Sequence, residues 1–217
     1  MNDGAGVTAL IAAAGSGTRL GNGPKALVRL AGRTLLEHTL DAFDGLVDEV
    51  IVALPGGLLA ERGTDGGPRY IAGGESRQES VRHLLGAASS GLVVIHDVAR
   101  PLLPADVLQR VVAAARSRGA ASAAVAVTDT VVRLAGRGYG EVVDRSTLRA
   151  IQTPQAFDRE LLLEAHARAA AKGLIATDDA ALVRALGAHV ELVAGSPLLL
   201  KITEPADLLL AEVLLPR

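Results

Sequence analysis

Short aliphatic runs alternate with amphipathic segments along the whole chain, and that alternation leaves few folds open. Strand-like runs fall at residues 7–13, 49–54, 69–72, 92–96, 120–127 and 190–193. Segments with helical periodicity lie at 34–43, 76–88, 105–118, 159–171, 178–186 and 205–214. Strand and helix in strict alternation predict a mostly parallel sheet covered by helices on both faces. In such sheets ligands gather at the carboxyl ends of the strands. Thr34 with Glu37, and Ser76 with Glu79, match the capping-box spacing and fix two helix starts. No internal repeat or low-complexity linker divides the 217 residues, so one domain is expected over 1–217. Residues 63–68 read as a loop, not a boundary.

One stretch breaks the pattern. Between 128 and 146, two β-branched runs flank a glycine-rich turn around Gly136, Gly138 and Gly140, which reads as a β-hairpin. An isolated two-stranded hairpin is marginal in water. It would gain stability by packing on a second subunit or by folding back on its own domain, and the residues leave both open.

The chemistry concentrates where the first apolar run ends. Residues 13–19 read Ala-Ala-Gly-Ser-Gly-Thr-Arg, and Lys25 follows. From Gly4 to Leu36 there are four basic residues (Arg19, Lys25, Arg29, Arg33) and no acid. Glycines let backbone N–H groups approach a ligand closely, and successive inward N–H groups make an anion-binding concavity. Two added cations point to several phosphates. A P-loop is excluded, because no Gly-Lys dipeptide occurs. A dinucleotide loop fits Gly15 and Gly17, but Leu20 replaces the third glycine and no acid follows at the end of the 49–54 strand. A nucleotidyltransferase loop, with Arg and Lys gripping a triphosphate, fits better. The bland alternative is a strand-to-helix turn with glycines for geometry alone.

Three further sites carry polar signal. The 92–96 strand leads through His96 into Asp97, with Arg100 just beyond. A carboxylate at a strand tip facing a phosphate loop suits magnesium, which takes one or two carboxylates plus substrate phosphates and water. Alone, the same aspartate would be read as a turn cap. His96 reads as a core or turn histidine. Gly73-Gly74 opens a helix whose free N–H groups and dipole suit an anion or a base. Lys201 follows an apolar run and needs a partner, which a phosphate or a surface position would supply. The Thr177-Asp178-Asp179 run reads as a helix cap.

Composition narrows the classes. Hydrophobic residues make up 49% of the chain and aromatics 2%, so the core must be aliphatic and few rings remain to stack bases. A net charge of −2 gives no global field for nucleic acid. Absence of cysteine excludes disulfides and thiolate metal sites. The first residues lack the basic region of a signal peptide, and the apolar run after them is about one strand long. A cytoplasmic protein without membrane or nucleic-acid partners is expected.

The ordered set of residues 13–19, Pro24-Lys25, Gly73-Gly74, 96–101 (His-Asp-Val-Ala-Arg-Pro), Asp129-Thr130, 143–145 (Val-Asp-Arg), 153–155 (Thr-Pro-Gln), Thr177-Asp178 and 201–203 (Lys-Ile-Thr) closely resembles the 2-C-methyl-D-erythritol 4-phosphate cytidylyltransferases. The resemblance runs nearly end to end. It implies a Rossmann-like domain with a protruding β-arm, assembled as a homodimer. It implies that Arg19 and Lys25 grip the phosphates of CTP, that Gly15, Gly17, Gly74 and Ser80 surround the nucleotide, and that Ala13 and Ala14 offer backbone groups to cytosine. Asp97 would bind magnesium. Arg100, Thr153 and Lys201 would lie near the methylerythritol phosphate, while Thr130 and Arg145 would reach the partner subunit's site. Ala12, Val98 and Glu75 stand where the family often has proline, alanine and aspartate. Glu75 is therefore given no role at the ribose. Ribitol 5-phosphate as acceptor, a nicotinamide-dependent oxidoreductase and a non-catalytic nucleotide sensor are the competing readings.

Overall fold

A computed structural model describes residues 6–17, 20, 21, 23–61 and 67–215. The strands are β1 (Val7–Ala12), β2 (Arg29–Leu30), β3 (Arg33–Thr34), β4 (Glu49–Leu54), β5 (Arg69–Ala72), β6 (Leu92–Asp97), β7 (Ala120–Ala126), β8 (Val131–Ala135), β9 (Gly138–Val143), β10 (Arg149–Asp158) and β11 (Glu191–Ala194). The α-helices are α1 (Leu35–Phe43), α2 (Arg77–Ala87), α3 (Ala105–Arg118), α4 (Arg159–Lys172), α5 (Asp179–Ala185) and α6 (Pro205–Leu214). Seven strands form one sheet in the order β11-β7-β10-β6-β1-β4-β5. All its pairings are parallel except the two made by β10.

Side chains alternate across a strand, so each strand feeds two cores. On β1, Ala9 and Ile11 join one core and Leu10 the other; on β6, Val94 joins the first, and Val93 and Ile95 the second. The first core is covered by α1, α3 and α6 through residues such as Leu36, Val111 and Ala211. The second is covered by α2, α4 and α5 through Leu84, Leu162 and Val183. Both cores are aliphatic apart from Phe43 and Phe157, as the composition requires.

Strand β10 was not legible in advance. It carries Pro154 and the polar run Gln152, Thr153 and Gln155, which argue against an interior strand. The structure satisfies each polar group. Gln152 Nε2 donates to the Ser196 carbonyl at 2.9 Å, and Gln155 Nε2 donates to Asp178 at 2.9 Å. A register shift against β7 between Ile151 and Gln155 accommodates the proline.

The second capping box forms by half. Ser76 Oγ accepts from the Glu79 amide at 3.1 Å, but the Glu79 carboxylate accepts from the Glu75 amide at 2.9 Å instead of returning to Ser76. At Thr34 both bonds of the box are present.

The hairpin at 128–146 is as expected: β8 and β9 pair with each other and with no other strand. Leu134 is 77% and Tyr139 74% exposed on it. The 63–68 loop lies largely outside the described residues.

Candidate active site

Parallel pairing of β1 with β6 sets Ala12 opposite Asp97. Both strands therefore stop at the same sheet edge, and the Val98 amide donates back to the Ala12 carbonyl at 3.3 Å. The loop after β1 turns so that the Lys25 amide donates to the Gly15 carbonyl at 3.1 Å. Gly17 is required in that turn. Its φ is +65°, and a Cβ there would lie 2.2 Å from the Gly23 carbonyl oxygen.

A cavity of about 240 Å³ opens at this edge, and Gly15, Gly17, Lys25, Asp97 and Lys201 line it. A second cavity, of about 510 Å³, is lined by Gly73, Gly74, Glu75, Glu79 and His83. Ala14 walls both. The second loop approaches the first so closely that a Cβ on Gly73 would fall 2.3 Å from the Ala14 Cβ. Ser80, buried behind Gly74, accepts from its amide at 3.0 Å and donates to the Ser76 carbonyl at 2.9 Å. Ala13 is fully buried, and its amide donates to the Ala53 carbonyl.

Cations converge on Asp97. Lys201 Nζ lies 2.7 Å from Oδ2, and Arg77 Nε lies 2.8 Å from Oδ1. Arg77 Nη1 also pairs with Asp179 Oδ2 at 2.8 Å. Burial opposes ionisation of Asp97, but Arg77 and Lys201 outweigh it and hold the carboxyl far below the usual carboxylate range. Burial likewise opposes the Arg77 charge, and Asp179 and Asp97 reverse that, raising its pKa further above the usual arginine range. Lys25 Nζ donates to the Ile202 carbonyl at 2.9 Å, so both lysines stand beside the segment that carries Lys201. Behind Asp97, Thr153 Oγ1 accepts from the Asp97 amide at 3.1 Å, which leaves the hydroxyl proton free to donate elsewhere.

His96 is buried, with Nε2 at 3.0 Å from the Arg100 carbonyl oxygen and its ring edge-on to Phe43. Burial lowers its pKa to about 4. It is a turn-fixing histidine, as its sequence setting indicated. Arg100 is half-buried, donates to the Leu199 carbonyl, and has its pKa lowered mainly by burial. Thr130 and Arg145 lie on and beside the exposed hairpin, where Arg145 donates to the Thr128 carbonyl. Arg19 lies outside the described residues.

The structure brings Lys25, Asp97 and Lys201 to one cavity, and beside them stand Arg77, Asp179 and His166, which sequence reasoning did not single out. Asp179, 1% exposed, pairs with Arg77 and sits 3.1 Å from His166 Nε2. The run at 177–179 looked like a cap, and Asp178 does cap α5. Nothing in the sequence separates its buried neighbour from it.

The arrangement suits a polyphosphate held at a sheet edge, with one carboxylate among several cations. Comparison with known proteins gives the same direction. The family model described as "IspD: 2-C-methyl-D-erythritol 4-phosphate cytidylyltransferase" matches residues 7–217. A curated 2-C-methyl-D-erythritol 4-phosphate cytidylyltransferase from Deinococcus radiodurans is 53% identical over 206 residues, 95% of this chain and 88% of that protein. Another, from Thermus thermophilus, is 51% identical over 208 residues, 96% of each. The crystal structure of 2-C-methyl-D-erythritol 4-phosphate cytidylyltransferase from Thermus thermophilus superposes with a TM-score of 0.86 at 48% identity, covering 96% of this chain and 98% of that one. The 4-diphosphocytidyl-2C-methyl-D-erythritolsynthase of Anaerococcus prevotii superposes with a TM-score of 0.86 at 30% identity, covering 99% and 100%.

Proposed function

The chain belongs to the 2-C-methyl-D-erythritol 4-phosphate cytidylyltransferase family, and on that premise we propose how it works. It transfers the cytidylyl group of CTP to 2-C-methyl-D-erythritol 4-phosphate, a step of the non-mevalonate isoprenoid pathway. The acceptor phosphate attacks the α-phosphorus in line and pyrophosphate leaves. A phosphate oxygen is already deprotonated, so no strong base is needed. The difficulty is repulsion between two anions and charge build-up in the transition state, which positioning and fixed charges relieve.

The observation that carries this reading is the placement of Lys25, Asp97 and Lys201 in one cavity at the shared end of β1 and β6. Lys25 faces the triphosphate, and the resemblance assigns Arg19 the same role. Gly15, Gly17 and Ala14 offer backbone groups along the nucleotide, and Ala13, Gly74 and Ser80 shape the base side. Lys201, Arg100 and Thr153 serve the acceptor phosphate.

Asp97 is the carboxylate for magnesium. Among the described residues no cluster of three or more histidine or acidic ligands exists. A single carboxylate in a phosphate cavity fits an ion held chiefly by substrate oxygens. When bound, magnesium would neutralise part of the triphosphate charge.

The hairpin exposes Leu134, Tyr139 and Val142, an apolar surface that a second copy of the chain would cover. We propose a homodimer in which Thr130 and Arg145 complete the neighbouring site. Both substrates are highly charged, and among the described residues no helix is long and apolar enough to cross a membrane. We propose a cytoplasmic location as part of the same reading.

The decisive assay supplies CTP, magnesium and either methylerythritol phosphate or ribitol 5-phosphate, and weighs the products. A cytidylyl adduct of the first acceptor, with pyrophosphate, is expected. Adduct with ribitol 5-phosphate alone would reassign the substrate, and nucleotide binding without product would make the chain a sensor.

A further inference from the structure

Asp97 meets its two cations in different ways. Lys201 reaches Oδ2 on a side chain that is 42% exposed. Arg77 reaches Oδ1 from the start of α2, and its Nη1 is anchored to the buried Asp179 at the start of α5. Asp179 is held in turn by His166 of α4, whose Nε2 donates at 3.1 Å when it carries the proton. Three helices therefore converge to fix one carboxylate oxygen, while the other oxygen faces a flexible ammonium. The third guanidinium nitrogen of Arg77, Nη2, is buried without a partner, so the two nitrogens that do pair both serve the carboxylates.

We infer that Arg77, anchored by Asp179, is a positioning residue for Asp97: it locks Oδ1 and leaves Oδ2 as the one exchangeable oxygen at the cavity wall. The inference rests on the reading of Asp97 as the magnesium carboxylate. Asp97, Asp179, Arg77 and Lys201 sum to zero charge. When Lys201 swings to an acceptor phosphate, the remaining three carry one negative charge and Oδ2 is free for a cation. Without the Arg77 lock, both oxygens would be free to rotate, and the carboxylate would follow Lys201 as it moves. Groups that orient a metal ligand from behind typically set affinity by about 10–100-fold.

The test measures metal binding directly. Manganese replaces magnesium and is titrated by electron paramagnetic resonance against full-length protein with a non-reactive α,β-methylene analogue of CTP and with methylerythritol phosphate, the acceptor that draws Lys201 away from Oδ2. Arg77→Lys, which keeps the charge but loses the two-armed bridge, should weaken manganese binding by about 10–100-fold. Metal-free binding of the analogue should stay within about twofold. Asp179→Asn should give a smaller loss, and the double variant should be no weaker than Arg77→Lys, because Asp179 acts only through Arg77. Unchanged manganese affinity in Arg77→Lys would overturn the inference, as would additive losses. So would an Asp179→Asn protein that melts lower yet binds manganese normally. Should Arg77→Lys fail to fold by circular dichroism, Asp179→Asn decides alone. Wild-type protein that binds the analogue but no manganese would overturn the magnesium reading itself, and this inference with it.

Discussion

Lys201 Nζ and Asp97 Oδ2 stand 2.7 Å apart, bridging the segment before α6 and the tip of β6 in the wall of the cavity. In the proposed reaction the pair keeps a cation where the two anionic substrates would meet. Replacing Lys201 by Met removes that charge and leaves Asp97 paired to Arg77, so the fold should survive. Turnover should fall about 10²–10³-fold, the usual effect of deleting one preorganised charge. Steady-state pyrophosphate release at saturating CTP measures it. Lys25→Ala should lose as much.

The contact between Gly73 and Ala14 gives a sharper test of geometry. Gly73→Ala should push the two loops apart, since the new methyl would sit 2.3 Å from the Ala14 Cβ. A displacement of about 1 Å in such a site can cost about 10² in rate. Combining it with Ala14→Gly removes the collision and should restore most of kcat/KM for CTP. A double variant as poor as the single one would mean the collision is not the cause.

Gly17→Ala should destabilise the protein, because a positive φ and a carbonyl 2.2 Å from the new Cβ both oppose the side chain. The loss should exceed about 1 kcal/mol, read from denaturant midpoints at constant slope.

Acid should weaken the fold in two windows. His96 is neutral in the folded state down to about pH 4, whereas an unfolded histidine protonates at about pH 6.5. The unfolded chain therefore binds the extra proton between those values, and stability should fall as pH drops through them, by up to ~1.4 kcal/mol per pH unit. Asp97 adds to this below the ordinary carboxylate range, at about pH 4, because its folded form resists protonation while its unfolded form accepts it. His96→Gln should flatten the first window and leave the second. Chemical denaturation at half-unit pH steps resolves the two.

Mixing tests the proposed dimer. An Arg19→Ala preparation and an Arg145→Ala preparation should each be nearly inactive. After subunit exchange, heterodimers carry one intact site and activity should reappear. Verified heterodimers with no recovery would return Arg145 to its own subunit's site.

Much of the sheet was legible, because its central parallel strands carry aliphatic runs buried on both faces, as at Leu92–Ile95. The hairpin was legible for the opposite reason: glycines punctuate two β-branched runs. Strand β10 was not, since its polar residues read as loop until Ser196, Asp178 and the Asp97 amide supply their partners. Local sequence cannot show such partners, which lie 23 to 56 residues away. The site divides the same way. Asp97 ends a strand and Lys25 follows a glycine-rich loop, both with their chemistry in plain view. Arg77 and Asp179 look like ordinary helix-start residues, and only tertiary approach over 102 positions joins them.

Strand β10 begins six residues after the hairpin's last strand ends and carries Thr153, whose hydroxyl accepts from the Asp97 amide. Whatever grips the arm therefore also holds one end of the chain segment that backs Asp97. In the proposed homodimer, quaternary assembly and the setting of Asp97 would therefore share a single length of backbone.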